Sequence, residues 1–162
     1  MAATVRVQAG AALSAVRGAA PAATTRRLME RAARAALRHA RAEAPWESRR
    51  LYRMAEISIT LLDDFEIAAL NEQFLQHGGP TDVISFALFA EGEPPVGDIY
   101  VGVTQARRQA ESAGVPFEEE LARLAVHGVL HVLGHTHPDG AARLESEMWQ
   151  VQEAILRSIL GP

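Results

Sequence analysis

Residues 127–137 read His-Gly-Val-Leu-His-Val-Leu-Gly-His-Thr-His, and this segment carries most of the functional information in the chain. Histidines four residues apart lie on one face of a helix with side chains about 5–6 Å apart, so His127 and His131 can converge on one ion. Gly134 can adopt the positive φ at which helices commonly end, and the chain can then turn to bring His137 back as a third ligand. The spacing therefore predicts a metal site on a buried helix.

Three protein nitrogens leave a fourth coordination position open. Such a position is typical of catalytic zinc, where it holds a water whose pKa the metal lowers to about 7. Two alternatives stay open at this point. His135 competes with His137 as the third ligand, and the histidines could instead be surface or packing residues of an apolar helix.

The pattern H-x-x-x-H-x-x-G-x-x-H resembles the long zinc-peptidase motif except at its second position. Peptidases carry there the glutamate that acts as the general base, whereas this chain carries Gly128. Because glycine cannot accept a proton, the sequence argues against peptide hydrolysis by that route.

Further motifs precede and follow the histidine segment. They are Leu70-Asn71, PTDVISF at 80–86, GDI at 97–99 and MWQVQEAIL at 148–156. In this order, and over about residues 50–160, the motifs resemble the YbeY family of bacterial endoribonucleases and ribosomal RNA maturation factors. The resemblance implies a metal-dependent, single-strand-specific endoribonuclease in ribosomal RNA maturation and ribosome quality control, with one Zn²⁺ per chain on His127, His131 and His137. RNA, ribosomal RNA or the ribosome would be its partner.

The chain departs from the family pattern near the predicted cleft. Where the family has an arginine that engages RNA phosphate, Leu75 follows Phe74. Gly78 stands where an acidic residue is common, and His135-Thr136 replace a Tyr-Asp pair. Leucine cannot imitate a bidentate phosphate clamp, so we expect slower cleavage than in relatives that keep the arginine.

These departures keep two other functions open. The first is a ribosome-associated RNA-binding factor with a structural zinc and weak or lost catalysis, which Leu75 favours. The second is a metallohydrolase that acts on peptides or small molecules. Gly128 argues against a peptidase.

Four other residues near the predicted cleft have candidate roles. The catalytic candidates are His127, His131 and Asp98. Asp98 could orient a ligand histidine or transfer a proton. The alternative is that its carboxylate caps backbone groups at the end of a strand. Thr81, Asp82 and Ser85 are expected to shape the cleft rather than to do chemistry.

Composition limits the class of protein. A chain of 162 residues, 48% of them hydrophobic, is expected to form one domain over 1–162. Without cysteine, histidine and carboxylate are the good metal ligands available, which is compatible with a cytoplasmic protein. No run of 18 apolar residues predicts a membrane span. The Arg-rich, acid-poor start could be an organellar transit peptide, but residues 5–7 read as a first strand.

Charge is distributed unevenly. Residues 1–53 carry 11 of the 16 arginines and 3 acids, a balance of +8, although the whole chain has a net charge of −4. Five arginines recur at helical spacing on a helix predicted over 22–43, and we call them the basic stripe: Arg27, Arg31, Arg34, Arg38 and Arg41. Such a stripe suits a nucleic-acid backbone, with a solvated helix face as the alternative.

Hydrophobic periodicity predicts strands at 5–8, 56–62, 83–87 and 98–103. Helices are expected from Asp63 or Asp64 to Leu75, from a cap at Thr104 to Ala113, from the acidic run 118–120 through the histidines, and from 139 to 160, with a loop at 91–96. These elements indicate an α+β fold, an α/β sandwich in which helices pack on a small mixed β-sheet.

Overall fold

A computed structural model describes residues 2–161, in which four strands form one mixed sheet. They are β1 (Thr4–Gln8), β2 (Glu56–Leu62), β3 (Val83–Ala87) and β4 (Val96–Gly102). Their spatial order is β1-β2-β4-β3; β1, β2 and β4 are parallel, and β3 is antiparallel to β4 at one edge. The predicted small mixed sheet is confirmed.

Helices surround this sheet. Within the described residues they are α1 (Gly10–Ser14), α2 (Ala22–Glu43), α3 (Arg49–Tyr52), α4 (Asp64–Leu75), α5 (Val103–Ala113), α6 (Phe117–Val132) and α7 (Glu147–Leu160), with 3-10 helices at Trp46–Ser48 and Gly140–Glu145. The helix predicted over 22–43 is confirmed at both ends. None of the helices in residues 2–161 is both long and apolar enough to cross a bilayer.

Strand alternation divides the apolar side chains between two cores. The larger core includes Val7, Ile59 and Ile99 and lies on the sheet face covered by α2 and α6. The smaller core consists of Leu62, Ile67 and Ile84 and lies on the face covered by α4. Neighbouring residues of one strand point to opposite faces, so β2, β3 and β4 contribute to both layers, whereas β1 contributes only to the larger core.

Capping chemistry sets several helix ends. Asp63, rather than Asp64, caps α4, because its carboxylate accepts the amide hydrogen of Glu66 and the Glu66 side chain accepts from the Asp63 amide. At the end of α6, Gly134 has a φ of 94°, and His135 donates its amide hydrogen to the Leu130 carbonyl. The predicted turn at Gly134 is therefore present.

The predicted boundaries of the last helix, of α5 and of β4 were wrong. The final helix starts at Glu147 rather than 139, because the Ser146 hydroxyl accepts the Trp149 amide hydrogen and a 3-10 helix precedes it. Helix α5 begins at Val103, directly after Gly102, rather than behind a Thr104 cap. Strand β4 extends over 96–102, so it takes Val96 from the predicted loop and ends before Val103.

Glycine allows α6 to lie close to β4. A Cβ on Gly128 would stand 2.6 Å from Ile99 Cγ2, and one on Gly97 would stand 2.5 Å from Val132 Cγ1. Position 128 therefore faces the sheet. The adjacent His127 side chain instead reaches α7, where it contacts Gln152.

Candidate metal centre

Three histidines converge where α6 ends. His131 Nε2 lies 3.0 Å from His127 Nε2 and 3.2 Å from His137 Nε2. His127 and His131 are one helical turn apart, and the turn at Gly134 returns His137 to their side, so local sequence alone places all three. Within the described chain this is the group of three ligand-type side chains close enough to hold one ion.

The opposite ring nitrogens fix the tautomers. His127 Nδ1 lies 2.7 Å from Gln152 Oε1, His131 Nδ1 lies 3.0 Å from the His135 carbonyl, and His137 Nδ1 lies 2.9 Å from the Pro138 carbonyl. Each of these oxygens accepts a hydrogen bond, so each neutral ring carries its proton on Nδ1. Three Nε2 lone pairs then face one another without a proton between them.

This donor set fits a metal ion. Imidazole nitrogens bind zinc at about 2.0–2.1 Å, and two ligands of a tetrahedral site at that distance are about 3.3 Å apart. The Nε2 separations of 3.0 and 3.2 Å are close to this value. A cation among the three lone pairs would turn their mutual repulsion into coordination.

Burial keeps two of the three candidate ligands, His127 and His131, deprotonated. Burial lowers the pKa of His127 to about 4, against a smaller opposing effect of the Gln152 hydrogen bond. Burial, followed by the nearness of His137, also lowers the pKa of His131. Because metal binding requires neutral imidazole, protons compete weakly for these two ligands at neutral pH.

A buried polar chain supports His127 from behind. Gln152, 1% exposed, accepts from His127 and donates through Nε2 to Glu153 Oε1 at 3.1 Å. Arg123 donates to the same Glu153 oxygen at 2.8 Å and also pairs with Glu120. The orientation of the His127 ring is thus tied to the packing of α7 on α6.

We expect Gln152→Leu to weaken metal affinity by about 10–100-fold, because it removes the acceptor that orients His127. The measurement is a competition titration of zinc against a chromogenic chelator. Gln150→Leu is the matched control, since Gln150 is exposed on the same helix. Equal metal affinities for the two variants would contradict the role of Gln152.

Comparison with known proteins identifies the family. The family profile described as Endoribonuclease YbeY matches residues 19–160. The chain belongs to the YbeY family. Proteins named Endoribonuclease YbeY from Persephonella marina, Geobacillus kaustophilus and Bacillus subtilis are 38%, 43% and 41% identical to it. In the same order, the alignments cover 64%, 63% and 63% of this chain and 70%, 71% and 71% of the relatives.

A solved structure agrees with the fold. The solution structure of a Thermotoga maritima protein superimposes with a TM-score of 0.60 at 22% identity, over 98% of this chain and 90% of that one. The α+β architecture is therefore shared with a protein of low sequence identity.

A cavity of about 520 Å³ opens beside the three histidines of this YbeY-family chain. Thr81, Asp82 and Ser85 line it, as expected of residues that shape the cleft. The Asp82 carboxylate accepts from the Val83 amide and from Gln109 Nε2 at 2.8 and 2.9 Å, so it stabilises the turn. Leu75 lines the same cavity and adds no charge.

Two other candidates lie away from the histidine cluster. Asp98 alternates in β4 with Gly97 and Ile99, which face α6, so the Asp98 side chain points to the opposite face of the sheet. The structure therefore does not bring Asp98 to His127 and His131. The His135 side chain lines a separate cavity with His39 and Tyr52, and its backbone carbonyl is what contacts His131.

Sequence reasoning missed Gln152 and Arg143. Gln152 had a readable signal, because it is a polar residue between Met148 and Ile155 on the apolar face of the last helix. Arg143 had none, since its position depends on the 3-10 helix that follows His137. It lines the histidine cavity and also a neighbouring one of about 480 Å³.

Proposed function

We propose that residues 1–162 form one domain that acts as a zinc-dependent, single-strand-specific endoribonuclease in ribosomal RNA maturation and ribosome quality control, in the cytoplasm. The observation that carries this proposal is the convergence of three Nε2 lone pairs, each aimed by an acceptor at Nδ1, beside an open cavity. The chain belongs to a family described as endoribonucleases, and this membership supports RNA as the substrate.

The reaction adds water across one phosphodiester bond. One P–O bond breaks, and the products are a phosphate monoester on one fragment and a hydroxyl on the other. His127, His131 and His137 would hold the Zn²⁺, which would supply Lewis-acid chemistry to activate water and polarise a phosphate oxygen. The chain's own residues bury His127 and His131, which keeps these two imidazoles neutral, and form the walls of the substrate cavity.

The cavity suits an unpaired strand. A recess lined by β3 and the segment after α6 can accept a nucleotide that has left its stack, whereas a duplex keeps its bases stacked. Ser85 lines this cavity, and its hydroxyl is buried without a hydrogen-bond partner in residues 2–161. Asp98 has no part in this scheme.

A cleavage assay tests the proposal. Metal-loaded protein is incubated with labelled single-stranded RNA and with the same RNA in a duplex, beside a chelated sample and one in which zinc is restored. We expect cleavage of the single strand alone, lost on chelation and recovered with zinc. Absence of cleavage with retained RNA binding would instead support the RNA-binding factor that the uncharged Leu75 favours.

The basic stripe is the candidate surface for added RNA affinity, and the structure divides it. Arg31 donates to the Ile159 carbonyl and Arg34 to the Ala3 carbonyl, so each of these guanidinium groups already has a backbone partner. Arg34 also lines a cavity of about 330 Å³, together with three further arginines: Arg38, Arg41, and Arg53 from the segment after α3. Within the described residues, none of these three has a carboxylate in salt-bridge range.

We expect replacing Arg38, Arg41 and Arg53 by Gln to weaken binding to all single-stranded RNA sequences alike. The slope of log K against log salt should fall by about 2, at about 0.7 per lost phosphate contact. Fluorescence anisotropy over a salt series measures it. Arg31→Gln is the control, because Arg31 has a backbone partner. An unchanged slope in the triple variant would leave these arginines as a solvated surface.

A further inference from the structure

We propose that Arg143 binds the scissile phosphate beside the three histidines. The proposal rests on the proposed nuclease function. Arg143 would supply the positive charge at the histidine cavity that Leu75 does not provide. Arg143 lies in the 3-10 helix Gly140–Glu145, directly after the segment that contains His137.

The position of Arg143 is at the junction of two cavities. One, of about 520 Å³, is lined by the three histidines and Leu75; the other, of about 480 Å³, is lined by His127 and Trp149. The residues that line both are Asp82, His127 and Arg143. A strand that runs from one cavity to the other past His127 would therefore pass Arg143.

The Arg143 guanidinium is available to a ligand. Arg123 lines the second cavity too, but Glu119, Glu120 and Glu153 all pair with it. In the part of the chain that the structure describes, Arg143 has no carboxylate within salt-bridge range. Of the two arginines beside the histidines, Arg143 is thus the one whose charge is not already neutralised.

Local contacts fix where Arg143 sits. Its carbonyl accepts from the Ser146 hydroxyl at 2.6 Å and from the Ser146 amide at 3.1 Å. Its guanidinium carbon lies 5.8 Å from the centre of the Trp149 ring. A cation–π contact of this kind leaves the N–H groups at the edge of the guanidinium free to donate.

The chemistry of the bond explains why a cation is needed there. A phosphodiester carries one negative charge, and its non-bridging oxygens gain charge as water attacks. A planar guanidinium donates two parallel hydrogen bonds to such oxygens, and its charge favours the transition state. Asp82 shares the junction, but its carboxylate is held by Val83 and Gln109 and would repel phosphate.

The first test measures cleavage at saturating enzyme in single turnover. We expect Arg143→Gln to cleave single-stranded RNA about 10²–10³-fold more slowly with unchanged zinc content, and Arg143→Lys to lie between it and the parent. Arg108→Gln, which removes an exposed charge on α5, should match the parent. Adding Leu75→Arg to Arg143→Gln should raise the cleavage rate of that variant. The factor should be larger than the one by which Leu75→Arg raises the rate of the parent, because both side chains line one cavity.

The second test does not need cleavage. Binding of a 2′-O-methyl oligonucleotide, which resists hydrolysis, is measured over a salt series for the parent and Arg143→Gln. Loss of one phosphate contact should lower the salt slope by about 0.7. A lower slope in a protein that does not cleave RNA would support the phosphate contact while the nuclease proposal fails. An unchanged slope, or an Arg143→Gln variant that cleaves as fast as the parent, would overturn the role of Arg143.

Discussion

Replacing His131 by alanine is expected to remove the bound metal and to slow cleavage of single-stranded RNA by at least about 10³-fold. His131 Nε2 lies within 3.2 Å of both other Nε2 atoms, so its loss leaves two imidazoles without their common neighbour. Two imidazoles hold zinc far less well than three, and the Lewis acid accounts for several kcal/mol of transition-state stabilisation. Elemental analysis and a single-turnover assay measure the two effects.

A paired variant identifies the third ligand. His137→Ala should lose metal as His131→Ala does, whereas His135→Ala should keep it, because His131 contacts the His135 backbone carbonyl, which alanine retains. Full zinc content in His137→Ala, with loss in His135→Ala, would transfer the ligand role to His135. Normal zinc and normal cleavage in His131→Ala would refute the metal centre itself.

The parts of this molecule that follow local rules were predictable from sequence. Two histidines one helical turn apart and a glycine that ends the helix specify the cluster within eleven residues. Helix α2 and strands β2 and β3 have periodic apolar positions, and their predicted boundaries match the structure.

Other features depend on how elements meet. Strand alternation puts Asp98 on the face opposite to Ile99, but the sequence does not state which face α6 covers. The 3-10 helix Gly140–Glu145 resembles the start of a helix until the Ser146 cap is seen, and Arg143 owes its place beside the histidines to that interruption. Helix α1 and helix α3, of five and four residues, are too short to show a period.

The need for glycine at position 128 likewise depends on the packing of α6 on the sheet. Its missing proton acceptor argued against a peptidase; the structure adds that a side chain there would enter the core. A Cβ would stand 2.6 Å from Ile99 Cγ2, and Ile99 is 0% exposed in a central strand. The glutamate of the peptidase motif would therefore point into the sheet rather than toward the histidines.

We expect Gly128→Glu to destabilise the protein by at least about 4 kcal/mol, because it buries an unpaired carboxylate and forces α6 away from β4. Gly128→Ala should be milder. A helix gains about 1 kcal/mol when alanine replaces glycine, whereas overpacking a core costs about 1–3 kcal/mol, so we expect a net loss of about 1 kcal/mol. Chemical denaturation measures both.

A double-mutant cycle decides whether Ile99 is the cause. Ile99→Ala alone should cost about 2–5 kcal/mol, since it leaves a cavity in the larger core. In Ile99→Ala the atoms nearest to a Cβ at position 128 are gone, so adding Gly128→Ala should then stabilise the protein, because the new methyl group fills space and the helix gains its preferred residue. The two changes should thus be coupled by about 1–3 kcal/mol in the favourable direction. Additive losses would mean that Gly128 serves something other than the close approach of α6 to β4.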